Sequence, residues 1–319
     1  MILITGGAGF IGSNIANAFS KEEVVAFDNL FRGRIERLEK EVIYEKGDVR
    51  NFEDVLKVFE RYSPDIVIHA AWINGTKYFY EMPYHVLEIG LKGTINVIEL
   101  SRRFNIKTFV FISSSEVYQT PPVLPTPEEV RLIVPDVLNP RYSYGGGKIV
   151  GELLTVNAFR NSEKTRWIII RPHNIYGPDM GFEHVIPEII RKIMIVTKKL
   201  REKEGIIEIK GTGEETRAFC YIKDFIQGLK ILLRKASSGI YNIGTDDEIS
   251  IKNLVNRIAK ILGVKIQIKS SEAMPGSPSR RCPDITKIRN LGYIPQWPLD
   301  KGLEETVKWY IDYFLKEGI

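Results

Sequence analysis

Through its first half the chain alternates short apolar runs with longer stretches whose apolar residues recur at helical spacing. Ile2 to Thr5 is one such run and ends in glycines; Ile11 to Phe19 follows with a three-to-four residue period. Val24 to Phe27 is closed by Asp28 and Asn29, and Val42 to Tyr44 precedes Gly47-Asp48. Phe52 to Tyr62 is amphipathic, Ile66 to Ala71 is apolar, and Val86 to Phe104 reads as a long helix. Thr108 to Ile112 runs into Ser113-Ser114-Ser115, Tyr144 to Phe159 is helical, and Trp167 to Ile170 closes the series. Runs apolar at every position, rather than at every second one, belong to strands buried on both faces. Alternated with amphipathic helices, they predict an α/β chain with a doubly wound parallel sheet.

After Arg171 the rhythm loosens. Pro172, Gly177, Pro178 and Gly181 predict a loop, and His184 to Lys199 a helix. Strands are expected over Ile206 to Ile209 and Phe219 to Ile222, on either side of a Gly211-Thr212-Gly213 turn. Ile240 to Ile243 looks like a late strand returning to the main sheet. A helix from Ile251 to Leu262, a strand from Ile266 to Lys269, a Pro/Gly/Ser loop from Met274 to Ser279 and a helix from Leu303 to Leu315 complete the chain. These segments predict a smaller C-terminal α/β lobe woven from separate pieces, with no internal repeat and no low-complexity tract.

The length of 319 residues suits two lobes. The net charge of +5 is spread along the chain, with no basic block of the kind that tracks nucleic acid. Abundant Ile, Lys and Glu suggest a thermophilic source. The two cysteines, Cys220 and Cys282, and four unclustered histidines form neither a disulfide framework nor a metal-ligand pattern, so no metal is expected. No apolar run reaches the roughly 18 residues of a membrane span, and no leader segment precedes the first strand. A cytoplasmic location and no membrane partner are expected.

Thr5-Gly6-Gly7-Ala8-Gly9-Phe10-Ile11-Gly12 joins the first strand to the first helix. Gly6 permits a tight turn, Gly9 lets the backbone approach a pyrophosphate, and Gly12 allows close packing of helix on strand. Phe10 and Ile11 open the helix, whose free N–H groups attract phosphate. Asp28, at the end of the next strand, is placed to accept hydrogen bonds from the adenosine ribose. A carboxylate there repels a 2′-phosphate, which favours NAD, although Arg32 and Arg34 keep NADP open. This is a Rossmann-type nucleotide site. Gly47-Asp48-Val49 lies beside the adenine or is a plain strand-end turn.

Tyr144 and Lys148 stand four apart and share one helix face. A phenol titrates near ~10, so it needs a neighbouring cation to act as a base at neutral pH. Ser113-Ser114-Ser115 ends a strand at the carboxyl edge of the sheet, where open α/β folds bind ligands. A serine there can bridge a substrate hydroxyl and the phenol.

Together these motifs resemble the extended short-chain dehydrogenase/reductases of the nucleotide-sugar epimerase/dehydratase family. The resemblance also runs through His69-Ala70-Ala71, Ser113 to Tyr118, Arg171-Pro172-His173-Asn174-Ile175-Tyr176-Gly177-Pro178 and Thr216-Arg217-Ala218-Phe219. It implies transient oxidation of a sugar, usually at C4, with Tyr144 taking the hydroxyl proton and NAD the hydride. It also implies cofactor contacts from Asn29, Asp48, Val49, Ala70, Ala71, Ser113 and Pro172. Ser114, Ser115, Asn174, His184, Arg217 and Arg281 are the implied substrate contacts, Arg217 facing its diphosphate and Arg281, or its neighbour Arg280, a second phosphate or the nucleoside.

The reaction class turns on Glu116, which resembles the glutamate that handles a C5 proton in 4,6-dehydratases and UDP-glucuronate decarboxylase. His184 resembles a second acid/base of the 3,5-epimerases, or else a phosphate or sugar contact. His69, in an apolar strand end, reads as structural. Two departures stand out: Gly90 replaces an asparagine usual in the family, and Trp72 opens an unusual loop with Asn74-Gly75-Thr76-Lys77-Tyr78. The expectation is an epimerase acting through Ser114, Glu116, Tyr144, Lys148 and His184. A 4,6-dehydratase or decarboxylase is the runner-up, and a non-catalytic NAD sensor a third possibility. The expected division is residues 1–172, with 213–245 returning to them, for NAD, and 173–212 with 246–319 for the nucleotide sugar. A homodimer through the helices that begin near Val86 and Tyr144 completes the picture.

Overall fold

The computed structural model describes residues 1–273, 276 and 278–316. Seven strands form one all-parallel sheet in the order Gly239–Ile243, Arg166–Pro172, Thr108–Ile112, Ile66–His69, Ile2–Thr5, Val24–Asp28, Ile43–Lys46. Ile2 pairs with Val24 on one side and Ile66 on the other, so the chain order reverses at the first strand. The crevice above that reversal is where such sheets bind ligands.

Side chains alternate across the sheet. Ile2, Ile4, Ile68, Val110, Ile168 and Ile170 share one core with Ile15 of the Phe10–Ala18 helix and with Phe225 and Leu229. Leu3, Val25, Phe27, Val67, Phe109 and Phe111 face the opposite core. There they meet Val55 and Phe59 from the Phe52–Tyr62 helix, Val97 and Leu100 from Pro83–Arg103, and Phe159 from Tyr142–Phe159. Burial on both faces is why these strands read as unbroken apolar runs.

The remaining segments build smaller sheets. Glu204–Lys210 pairs in parallel with Lys265–Ser271, and Thr216–Ala218 lies between Glu248–Ser250 and Arg280–Arg281. The helices Val185–Val196, Ile251–Leu262 and Leu299–Lys316 pack beside them. Among the described residues no helix is long and apolar enough to cross a membrane.

Several sequence expectations need correction. The strand expected over Phe219 to Ile222 is only Cys220–Tyr221, because Ile222 already begins a helix that runs to Lys235. Its Ile222, Phe225, Leu229 and Leu232 have helical spacing, but the strand feeds into it without a loop to mark the change. Asn74 to Tyr78 is not all loop: Gly75, at φ 136°, releases a short helix, Thr76–Glu81. The next helix starts at Pro83 rather than Val86, since proline suits the first helical turn. Ile175–Tyr176 is a short strand inside the expected Pro/Gly loop, and Glu248–Ser250 is a strand with no counterpart in the expectation. Met274, Pro275 and Ser277 of the expected Met274 to Ser279 loop lie outside the described residues.

Candidate active site

A cavity of about 790 Å³ opens over the carboxyl edge of the sheet at the reversal point. The first strand enters it through the glycine turn. Gly6 sits at φ 69°, and a β-carbon there would lie 2.8 Å from the Ala71 Cα, while one at Gly12 would overlap the Gly6 carbonyl. Only glycine lets the three segments approach this closely. The Phe10–Ala18 helix then points its N-terminus at the cavity with Gly9 as an N-cap that offers no side-chain hydrogen bond. The first-turn N–H groups of Phe10, Ile11 and Gly12 therefore face the cavity without an intrahelical acceptor, a cradle suited to a diphosphate.

Asp28 closes the next strand, its oxygens accepting from Ala8 N at 3.0 Å and Leu30 N at 2.7 Å. Burial raises its pKa, and those backbone donors oppose the rise. Asn29, Val49, Ala70, Ala71, Ser113 and Pro172 also border the cavity. Asp48 does not: its carboxylate binds Arg50 and accepts from Asn29 Nδ2 at 3.0 Å.

The Tyr142–Phe159 helix lays Tyr144 and Lys148 against the strand end at Ile112, both nearly inaccessible to solvent. Lys148 Nζ donates to the Ile112 carbonyl at 2.6 Å. Burial holds the Lys148 pKa well below that of a free lysine, against the pull of the Glu152 carboxylate. Burial likewise pushes the Tyr144 phenol up, while a hydrogen bond from Ser114 favours the phenolate. Ser114 also accepts from Glu116 N at 3.1 Å, which fixes the strand end beneath the phenol.

Glu116 and Ser115 border the same cavity. Both Glu116 oxygens accept from Arg281, at 2.6 and 3.1 Å, and Arg141 stands 3.8 Å away. Burial opposes ionisation of this carboxyl, but Arg281, Arg141 and Arg217 outweigh it and hold the pKa at about 2. Arg217 does not border the cavity. Its guanidinium donates to the carbonyls of Thr216, Pro278 and Ser279, and burial with the neighbouring arginines lowers its pKa to about 10. Three guanidiniums around one carboxylate leave this end of the site positively charged.

His184 is the N-cap of the Val185–Val196 helix at the cavity wall. Burial, helped by Arg32, lowers its pKa to about 4, so the imidazole is neutral at neutral pH. Asn174, also at the wall, donates to the Ala218 carbonyl at 3.0 Å. His69 fills a structural role, bonded to Thr5 at 2.6 Å and Thr94 at 3.0 Å.

Two features escaped the sequence reading. Behind Ser113 lies a buried ion pair in which Arg171 meets both oxygens of Glu152, at 2.9 and 2.6 Å, and Ser113 Oγ donates to Glu152 at 2.5 Å. Glu152 follows Lys148 by four residues on the same face, a spacing that was there to read. The second is a strap across the cavity. Arg37 Nε donates to Asp179 at 2.8 Å, Arg34 pairs with the same carboxylate, and Arg32 joins the Asn74 carbonyl to Glu183, the latter at 3.1 Å. Asn74 lies 42 residues from Arg32 and the carboxylate partners more than a hundred residues away, so no local pattern announces them.

Fold and site together define an NAD-binding scaffold of the Rossmann type. Residues 2–244 match the model of the NAD dependent epimerase/dehydratase family, and the chain belongs to that family. It is 32% identical to UDP-glucuronic acid decarboxylase 1 of Xenopus tropicalis, over 99% of this chain and 72% of that protein. It is 29% identical to dTDP-D-glucose 4,6-dehydratase of Dictyostelium discoideum, over 97% of this chain and 81% of that one. The solved UDP-glucose 4-epimerase of Thermus thermophilus in complex with NAD superposes with a TM-score of 0.84 at 25% identity, covering 97% of this chain and 98% of the other.

Proposed function

We propose that the protein is an NAD-dependent nucleotide-sugar epimerase that inverts a ring carbon through transient oxidation at C4. Tyr144 accepts the proton of the sugar hydroxyl, Ser114 orients that hydroxyl, and Lys148 stabilises the phenolate. NAD, held by the glycine turn and Asp28 on residues 1–172, supplies the hydride acceptor when bound. The diphosphate would draw on Arg281 and Arg217 at the positively charged end, with Asn174 and Ser115 beside it. The lobe of residues 173–212 and 246–319 would carry the nucleotide sugar.

The observation that favours epimerisation over dehydration is the pairing of Glu116 with Arg281. Loss of water needs an acid to protonate the leaving hydroxyl. Ser115 has no carboxyl, and a glutamate held at about 2 carries no proton at neutral pH. In this reading His184, neutral at neutral pH, takes a ring proton from one wall, and the opposite face is reprotonated from solvent on the wall that Glu116 lines. A decarboxylase is the second reading. The surplus of guanidinium charge around Glu116 suits an anionic sugar, and a UDP-glucuronic acid decarboxylase is among the relatives. Incubation with UDP-, GDP- and dTDP-sugars separates the readings by mass. An isobaric product supports epimerisation, and loss of water or of carbon dioxide refutes it.

The homodimer reading rests on Ile95, Val150 and Leu153, exposed side by side on the Pro83–Arg103 and Tyr142–Phe159 helices. Leu153→Glu should convert a dimer to a monomer in analytical ultracentrifugation, and a monomeric parent protein would refute the reading.

A further inference from the structure

The loop that follows the Ile66–His69 strand carries Trp72 into the space between the sheet and two helices. Its indole lies where Gly90 and Gly147 leave no side chains: a β-carbon at Gly90 would overlap the six-membered ring, and one at Gly147 would lie 2.9 Å from Trp72 Cζ2. Any side chain at 90 and this indole therefore exclude one another. The ring seats directly over Lys148, with Nζ 4.2 Å from its centroid. Phe111 lies 4.9 Å from the same nitrogen, and the Tyr144 ring 5.7 Å. Trp72 meets Tyr144 edge-on, with centroids 6.3 Å apart.

An ammonium has three donors. Here Ile112 O takes one, and aromatic faces surround the rest. The indole N–H itself is buried without an acceptor, a cost that packing alone does not explain.

We propose that Trp72, seated in the notch of Gly90 and Gly147, is a positioning residue that holds the Lys148 ammonium beside Tyr144 by a desolvated cation–π contact in place of a polar partner. The desolvated setting makes such a contact stronger than at a surface. Without the π-face the buried ammonium loses its proton more readily or turns away. Either way Tyr144 ionises at higher pH. The other groups that bear on the pair are Glu152 and His69 at Lys148, and Ser114, Glu116 and Arg32 at Tyr144. None of them is touched by the substitutions below. The proposal rests on Tyr144 being the base of the proposed reaction.

The test is a tyrosinate absorbance titration of the NAD-loaded protein, each variant being read against its own Tyr144→Phe counterpart. Trp72→Leu should raise the ionisation of Tyr144 by about one pH unit, tenfold in the equilibrium. Trp72→Phe keeps a π-face and should shift it by less than half as much. Gly90→Ala, which pushes the indole off without deleting it, should act like Trp72→Leu. Adding Trp72→Phe to Gly90→Ala makes room for the methyl and should bring the value back to that of Trp72→Phe alone. If Trp72→Leu does not fold, the Gly90→Ala pair of variants decides. An unchanged titration in Trp72→Leu or in Gly90→Ala overturns the proposal, as does a shift in Trp72→Phe equal to that in Trp72→Leu. The titration needs no sugar, so it can fail while the epimerase reading stands, and the sugar screen can fail while the coupling holds.

Discussion

Arg281 grips both carboxylate oxygens of Glu116, at 2.6 and 3.1 Å, across 165 residues of sequence. The pair joins the serine strand end to the C-terminal lobe. Its folded-state pKa of about 2 lies below the unfolded value, so its contribution to stability is fully present above about pH 4.5 and is lost as pH falls towards 2. Glu116→Gln removes this titration. In urea melts, stability of the parent should fall more steeply between pH 4.5 and pH 3 than that of the variant. Parallel curves would contradict the ion pair.

Two other buried groups act earlier in an acid titration. His69 and His173 are almost inaccessible, and burial lowers both to a pKa of about 3. Above about pH 6.5 the imidazoles are neutral in both the folded and unfolded states. Below it the unfolded chain binds protons that the folded one does not, so stability falls by up to about 1.4 kcal/mol per pH unit for each histidine. His173→Asn should flatten the slope between pH 6.5 and pH 4 by about one proton's worth in the same urea melts.

The Arg171–Glu152 pair is buried as well and holds Ser113. Glu152→Ala strands a guanidinium in the core and should cost about 3–5 kcal/mol in chemical denaturation. Glu152→Leu combined with Arg171→Met should recover most of that loss. A cost below 1 kcal/mol for Glu152→Ala would mean that the pair is not load sharing in solution.

The strap over the cavity predicts a different phenotype. Asp179→Asn weakens the contacts with Arg34 and Arg37, the latter of which also donates to the Ala8 carbonyl of the glycine turn. The NAD dissociation constant should rise by about tenfold, equivalent to 1.4 kcal/mol, with the melting temperature of NAD-free protein little changed. Isothermal titration of NAD into stripped protein measures it.

The sheet was legible because its inner strands are largely apolar runs and its helices amphipathic, and because the glycine turn sits between the first of each. Tyr144 and Lys148 were legible from their spacing within one helix. What escaped depends on tertiary context. The Ile222–Lys235 helix follows a strand with no intervening turn, and the Thr76–Glu81 helix is too short to show a period. Trp72 and Gly90 each looked odd alone. Only the fold brings them within contact, where one explains the other. Arg217 follows a family-like pattern, yet its guanidinium rests on the Pro278 carbonyl rather than in the cavity, an arrangement set by a distant loop.

The proposed reaction is oxidation at C4 followed by return of the hydride to the same carbon. A nucleotide sugar that the protein turns over, labelled with deuterium at C4, tests it most directly. The expected product is an isobaric epimer with the label still at C4, formed at a rate that Tyr144→Phe lowers by about 10²–10⁴-fold. A product that has lost water or carbon dioxide, an epimer whose label has exchanged with solvent, or full activity in Tyr144→Phe would contradict it.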